Sequence, residues 1–223
     1  MGALAHAVPV ERSNVDERLA AANAWARRPC HVKGGSFLQQ HANTLDAKQT
    51  VLVVCDLQGA FRPAIDEIDR IAKRSAVVVE AAKLLGLPVL VTEQVPEKLG
   101  GTVEEIRAAL PPGAMAFGKT AFSCYGSQPF RDQLTQLDRR QVLLCGIESH
   151  VCMNQTAHDL LAAGYQVHLL TDCTSSRTAA NRELGISKMI GSGAVPSSSE
   201  MALFELMRDA KHDHFRAVQK LIK

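Results

Sequence analysis

The feature that most constrains this chain is an alternation that begins at Gln49. Short apolar runs rich in β-branched residues give way to Gly- or Pro-marked loops, and then to segments whose apolar residues recur every three to four positions. A chain written this way folds as a parallel sheet covered by helices. The strand candidates are "VLVVC" (51–55), "PVLVT" (88–92), "MAFGK" (115–119), "QVLLC" (141–145), "YQVHLL" (165–170) and a weaker "GAVP" (193–196). Several are apolar without alternation, so they are expected to be buried on both faces. The fold class expected is a three-layer α/β/α arrangement around a central parallel sheet of about six strands.

Helical signals fall between these runs. Ile65, Ile68, Ile71, Val78, Ala81, Leu84 and Leu85 lie on one stripe that Gly86 terminates. Thr102 with Glu105 reads as a capping box before "IRAAL", and Ser149 as the cap of a helix running to Gly164. "AANRELGISKMIG", "SSSEMALFELMRDA" and the amphipathic "FRAVQKLIK" complete the set. At 223 residues the chain accommodates one sizeable domain, expected over 46–223. Residues 1–45 read as a partly irregular, Ala-rich extension, where Glu11, Asp16 and Glu17 weaken a transit-peptide reading.

Bulk properties exclude several classes of function. No apolar run approaches the ~20 residues needed to cross a bilayer. A formal net charge of +2 and 4% aromatic residues give neither a phosphate-binding field nor stacking platforms, so no nucleic-acid partner is expected. Six cysteines occur without a CxxC pair or a secretory signal, which suggests an intracellular protein, cytoplasmic or else mitochondrial, with reduced thiols.

Ligands of open α/β sheets sit outside the carboxyl ends of the strands, so polar residues just after apolar runs are the first candidates for chemistry. Asp56 follows "VLVVC", Lys119 ends "MAFGK", and Cys152 lies beyond "QVLLCG" on the next helix. Singly, each has an ordinary reading as turn former, solvated charge or core thiol. Together they describe a nucleophile, a base and a counterion. With Ser149 as cap, Cys152 falls in the first helical turn, where unpaired N–H groups and the helix dipole favour thiolate. Asp56 can accept the thiol proton, and Lys119 compensates the moving charge.

These residues resemble those of the isochorismatase-like cysteine hydrolase superfamily. "VVCDLQGAFRP", "FGKTAFS", "GIESHVCMNQTAHDL" and "TDCTSSR" match its motifs in order, from about Val51 to Ala210. "VTEQVPEKLG" and "SSSEMALFELMRDA" point to its isochorismatase domain-containing subgroup. The resemblance implies an Asp56, Lys119, Cys152 triad and a cis peptide between Ile147 and Glu148. It also implies an oxyanion hole built from the backbone N–H groups of Glu148 and Cys152, and a homo-oligomer, for which the apolar faces of "MALFELM" and "FRAVQKLIK" offer surface. Nicotinamidases of the superfamily bind metal through Asp-x-His, whereas Gln58 occupies that position here, so neither metal nor cofactor is expected. True isochorismatases cleave a vinyl ether without the cysteine, so Cys152 argues for acyl chemistry on a small-molecule substrate. Phe61, Phe122 and His150 are candidate pocket residues. His158 and His168 read as packing residues, and His212 with His214 as a solvated pair. The competing expectation is an oligomeric interaction module that keeps the fold without the activity.

Overall fold

The computed structural model describes residues 41–223; the expected extension therefore lies almost wholly outside the described residues. Six parallel strands form one sheet in the order β3-β2-β1-β4-β5-β6, with β1 Thr50–Cys55, β2 Val89–Gln94, β3 Ala116–Lys119, β4 Gln141–Ile147, β5 Gln166–Ser175 and β6 Val195–Ser197. The chain builds outward from β1 to β3, then returns to the other side of β1 and builds outward again. The order thus reverses between β1 and β4, the crevice where open α/β sheets place their ligands.

Helices α1 (Ile68–Leu84), α2 (Pro96–Leu99), α3 (Glu104–Ala109), α4 (Gln128–Gln136), α5 (Asn154–Ala162), α6 (Ala179–Gly191), α7 (Ser199–Met207) and α8 (Phe215–Ile222) complete the layers. Strand residues alternate between two cores because the side-chain period of a strand is two. Leu52 and Val54 of β1 face a core shared with α1, α3, α7 and α8. Val51, Val53 and Cys55 face a second core shared with α4, α5 and α6. All six residues of β1 and all seven of β4 are buried, as expected of strands covered on both faces. Burying each aliphatic side chain of these strands contributes about 2 kcal/mol. Residues 41–45 already belong to this body: Leu45 is fully buried and its N–H donates to Glu205 Oε2.

Four local expectations are corrected. Helix α3 is preceded by Val103, and Thr102 does not cap it; the Thr102 hydroxyl and N–H both donate to Glu93 Oε1, at 2.7 Å each, while Glu105 pairs with Arg62. Ser149 caps no helix either; its hydroxyl donates to Ser175 O at 2.9 Å. Strand β5 runs on through "TDCTS" to Ser175, farther than its apolar stretch indicates, because these polar residues pair with the end of β4. The apolar face of "FRAVQKLIK", expected to be free for assembly, lies on the α1 core: Val218 is buried, and Phe215, Leu221 and Ile222 pack beside it.

Candidate active site

Three strand ends meet at one level. Cys55 pairs across the sheet with Thr92 on one side and Gly146 on the other, and Gln94 pairs with Lys119. The register therefore sets Asp56, one residue beyond Cys55, between the ends of β2 and β4. Asp56 adopts φ 53°, a left-handed conformation that Asp tolerates better than most residues, and the chain turns away from the sheet there.

The Asp56 carboxylate is held from two sides. Thr92 Oγ1 donates to its Oδ1 at 2.8 Å, and Lys119 Nζ lies 2.7 Å from its Oδ2, with both side chains excluded from solvent. Oδ2 makes this ion pair without a well-aligned hydrogen bond, which leaves it an acceptor with capacity to spare. Lys119 also donates to Gln94 Oε1 at 2.5 Å, Phe122 O at 2.8 Å and Ala121 O at 3.2 Å. Burial works against this ammonium, but the negative charge available at Cys55, Asp56, Cys124 and Cys152 outweighs it and raises the Lys119 pKa above its ordinary value. Lys119 is thus a fixed cation.

Two glutamines lock this arrangement. The Gln58 side-chain amide donates to Gln94 O and Gly100 O and accepts from Gln94 N at 2.7 Å. All of this is backbone bracing, so Gln58 acts as a strut under Gln94 rather than as a ligand. Gln94 in turn anchors Thr120 O through its Nε2 while its Oε1 faces Lys119. Reading the sequence did not single out Thr92, Gln94, Cys55 or Cys124. The strand-end rule that found Asp56 also covers Gln94, the last residue of β2.

Cys152 lies in the turn Ser149–Met153 that joins β4 to α5, and it is 7% exposed. The turn is wide: Met153 N–H reaches back five residues to Glu148 O, at 3.1 Å. The peptide between Ile147 and Glu148 is cis. Two glycines bring the neighbouring chain close. A Cβ on Gly146, at φ +124°, would meet Cys55 O at 2.0 Å, and one on Gly185 of α6 would meet the Ser149 backbone at 2.6 Å. Only a hydrogen at those positions lets β4 and α6 press against the site.

The structure thus gathers Asp56, Lys119 and Cys152 around one crevice wall. His150 Nδ1 contacts Ser176 Oγ at 3.1 Å, Glu148 accepts from the Arg177 N–H and guanidinium, and Phe122 is 53% exposed beside the Lys119 contact. Phe61 instead packs against the α1-side core. His158 contacts Ser192 Oγ and His168 is buried in β5, while the His212 and His214 rings lie 5.8 Å apart, tilted at 46°.

Residues 50–201 match the family model described as Isochorismatase domain. A secreted isochorismatase effector of Phytophthora sojae is 42% identical over 177 residues, covering 78% of this chain and 84% of that protein. Isochorismatase domain-containing protein 2A of Mus musculus is 42% identical over 177 residues, covering 79% and 84%. Among solved structures, one described as MAR1 ribonuclease from Caenorhabditis elegans superposes with a TM-score of 0.77 at 37% identity, covering 80% of this chain and 92% of that one.

Proposed function

The chain belongs to the isochorismatase domain family, and from that premise we propose that it is a cysteine hydrolase acting on a small amide or related acyl substrate. The observation that carries the reading is the buried Asp56–Lys119 pair, 2.7 Å apart, beside the turn that holds Cys152. A desolvated ion pair is costly to maintain as mere scaffolding, since apolar residues of similar size are often at least as stabilising. It suits a site where charge must move.

In this mechanism the Cys152 sulfur attacks the carbonyl carbon while its proton passes to Asp56. The N–H groups of Glu148 and Cys152 receive the oxyanion. Asp56 then gives the proton to the departing amine, leaving an acyl-thioester. Water deprotonated by Asp56 releases the acid, and Lys119 compensates the carboxylate throughout. His150 and Phe122 form the pocket rim. No metal or cofactor takes part, because Gln58, at the position that would supply a ligand, has its amide committed to the backbone. We place the protein inside the cell, in keeping with six cysteines that include no CxxC pair; the secretion in the Phytophthora sojae relative's name belongs to that protein.

The test is a panel of small amides and carbamoyl compounds assayed with the wild type, Asp56→Asn, Cys152→Ala and the double variant. Each single change is expected to lower turnover by about a thousandfold or more, and the double variant to be little worse than Cys152→Ala, because the residues act as a unit. Fully additive losses, or near-normal turnover by Cys152→Ala, would make Cys152 a structural thiol. Inactivity across the panel, with Cys152 alkylated no faster than Cys145, would favour an interaction module. Cys145 is the internal reference because burial pushes its thiol up to about 12. The ribonuclease name is that of the Caenorhabditis elegans protein; RNA cleavage lost in Cys152→Ala would replace the amide reading with that one.

A further inference from the structure

The mechanism above uses one cysteine, yet the structure sets three in a row. Cys55 Sγ and Cys124 Sγ are 3.4 Å apart, and Cys152 lies near enough to Cys55 to help hold that thiol protonated. Cys55 and Cys124 are fully buried, while Cys152 is 7% exposed and is the outermost of the three. Nothing in acyl transfer requires this continuity, and two thiols in van der Waals contact need move only a little to join.

We infer that Cys152, Cys55 and Cys124 form a built-in disulfide relay, a modification site whose oxidant is a hydroperoxide such as hydrogen peroxide. The inference rests on the reading of Cys152 as the reactive thiol. Cys152 attacks one peroxide oxygen; an S–O bond forms, the O–O bond breaks, and the hydroxide released takes up a proton to become water. The product is a sulfenic acid at Cys152. Cys55 then attacks that sulfur; the S–S bond forms, the S–O bond breaks, and the Cys55 proton leaves with the hydroxyl as a second water. Two electrons have passed from two thiols to one peroxide.

Cys124 can then move the bridge inward. Its sulfur attacks Cys55, the Cys55–Cys152 bond breaks as the Cys55–Cys124 bond forms, and the Cys124 proton passes to the departing Cys152 sulfur. The surroundings favour this direction. Burial opposes ionisation of Cys124, but its hydrogen bond with Cys55 and the nearby Lys119 charge lower its pKa, whereas burial foremost holds the Cys55 thiol high. Cys124 is therefore the better attacking group and Cys55 the central sulfur it attacks. Thr92 Oγ1, 3.2 Å from Cys124 Sγ and bonded to Asp56, couples the relay to the catalytic carboxylate.

The experiment is limited oxidation of the reduced full chain with equimolar hydrogen peroxide, followed by denaturing alkylation and peptide mapping. The expected product has lost two hydrogens and links Cys55 to Cys124 or to Cys152, with Cys145 and Cys173 still alkylated as thiols and dithiothreitol restoring the starting mass. Cys55→Ala should shift Cys152 to sulfinic acid several-fold faster than in the wild type. Should that variant not fold, Cys124→Ala serves, with the bridge confined to Cys55 and Cys152. Sulfinic acid at Cys152 with Cys55 and Cys124 both alkylated overturns the relay and leaves the nucleophile in place. A Cys152 inert to both peroxide and iodoacetamide overturns both.

Discussion

Gly146 shows how one atom sets the site. It lies at φ +124° in β4, opposite Cys55, and any side chain there would place its Cβ 2.0 Å from the Cys55 carbonyl oxygen. The residue after Cys55 is Asp56 and the residue two beyond Gly146 is Glu148, so strain at this crossing displaces Asp56 and the turn that holds Cys152 together. Gly146→Ala is expected to cost about 3 kcal/mol or more, from a forbidden backbone conformation plus overpacking. Chemical denaturation should show a lower midpoint, and Cys152 alkylation should slow in the fraction that remains folded. A variant with wild-type stability and alkylation rate would mean that the strand crossing relaxes without consequence. Gln94 works at the same scale by a different route: it fixes where Lys119 stands without touching the reacting atoms.

At the scale of elements, β5 joins catalysis-side geometry to stability. Its outer part is polar and serves the site: Thr174 Oγ1 donates to Gly146 O at 2.7 Å, and Ser175 Oγ donates to Asp66 O at 2.7 Å. Its inner part buries His168, which is 1% exposed and whose Nε2 has no partner among the described residues, so desolvation lowers its pKa to about 4. A histidine with a depressed folded pKa contributes stability that is fully present above its unfolded value near 6.5. That contribution is lost as pH falls from there to about 4, because the unfolded chain takes up the proton first; the span is about 3 kcal/mol. Urea midpoints measured across this range should fall more steeply for the wild type than for His168→Leu; equal slopes would defeat the assignment. The apolar half of β5 was legible as "YQVHLL", since β-branched and aliphatic residues announce a buried strand. The polar half was not, because its partners lie in β4 and before α1, and no local pattern encodes them. Ser149 and Thr102 failed as caps for the same reason: each hydroxyl donates to a tertiary acceptor, Ser175 O or Glu93, and is oriented by it rather than by a helix end. Asp56, Lys119 and Cys152 could be singled out as candidates because strand ends are readable and the motif order is specific. The thiol row could not, since Cys55 and Cys124 are 69 residues apart.

At the scale of the whole molecule, both helical layers leave apolar side chains at their surfaces. Helix α8 spends its apolar side on the α1 core, but Met201 and Phe204 of α7 stay 54% and 39% exposed, and Leu184 of α6 is 67% exposed. A homo-oligomer that covers these residues is the proposed assembly. Light scattering should give a multiple of the chain mass, and Met201→Glu with Phe204→Glu should reduce it; a monomer at all micromolar concentrations would refute the proposal. Among the described residues no helix is long and apolar enough to cross a membrane. The sheet itself offers newcomers little. Its outermost strands have four and three residues, and β6 carries a proline at its centre, so neither rim presents enough unpaired N–H and C=O groups to template an incoming strand. A fold with such blunted rims resists runaway stacking of its own sheets, and copies that meet gain little from joining strand to strand.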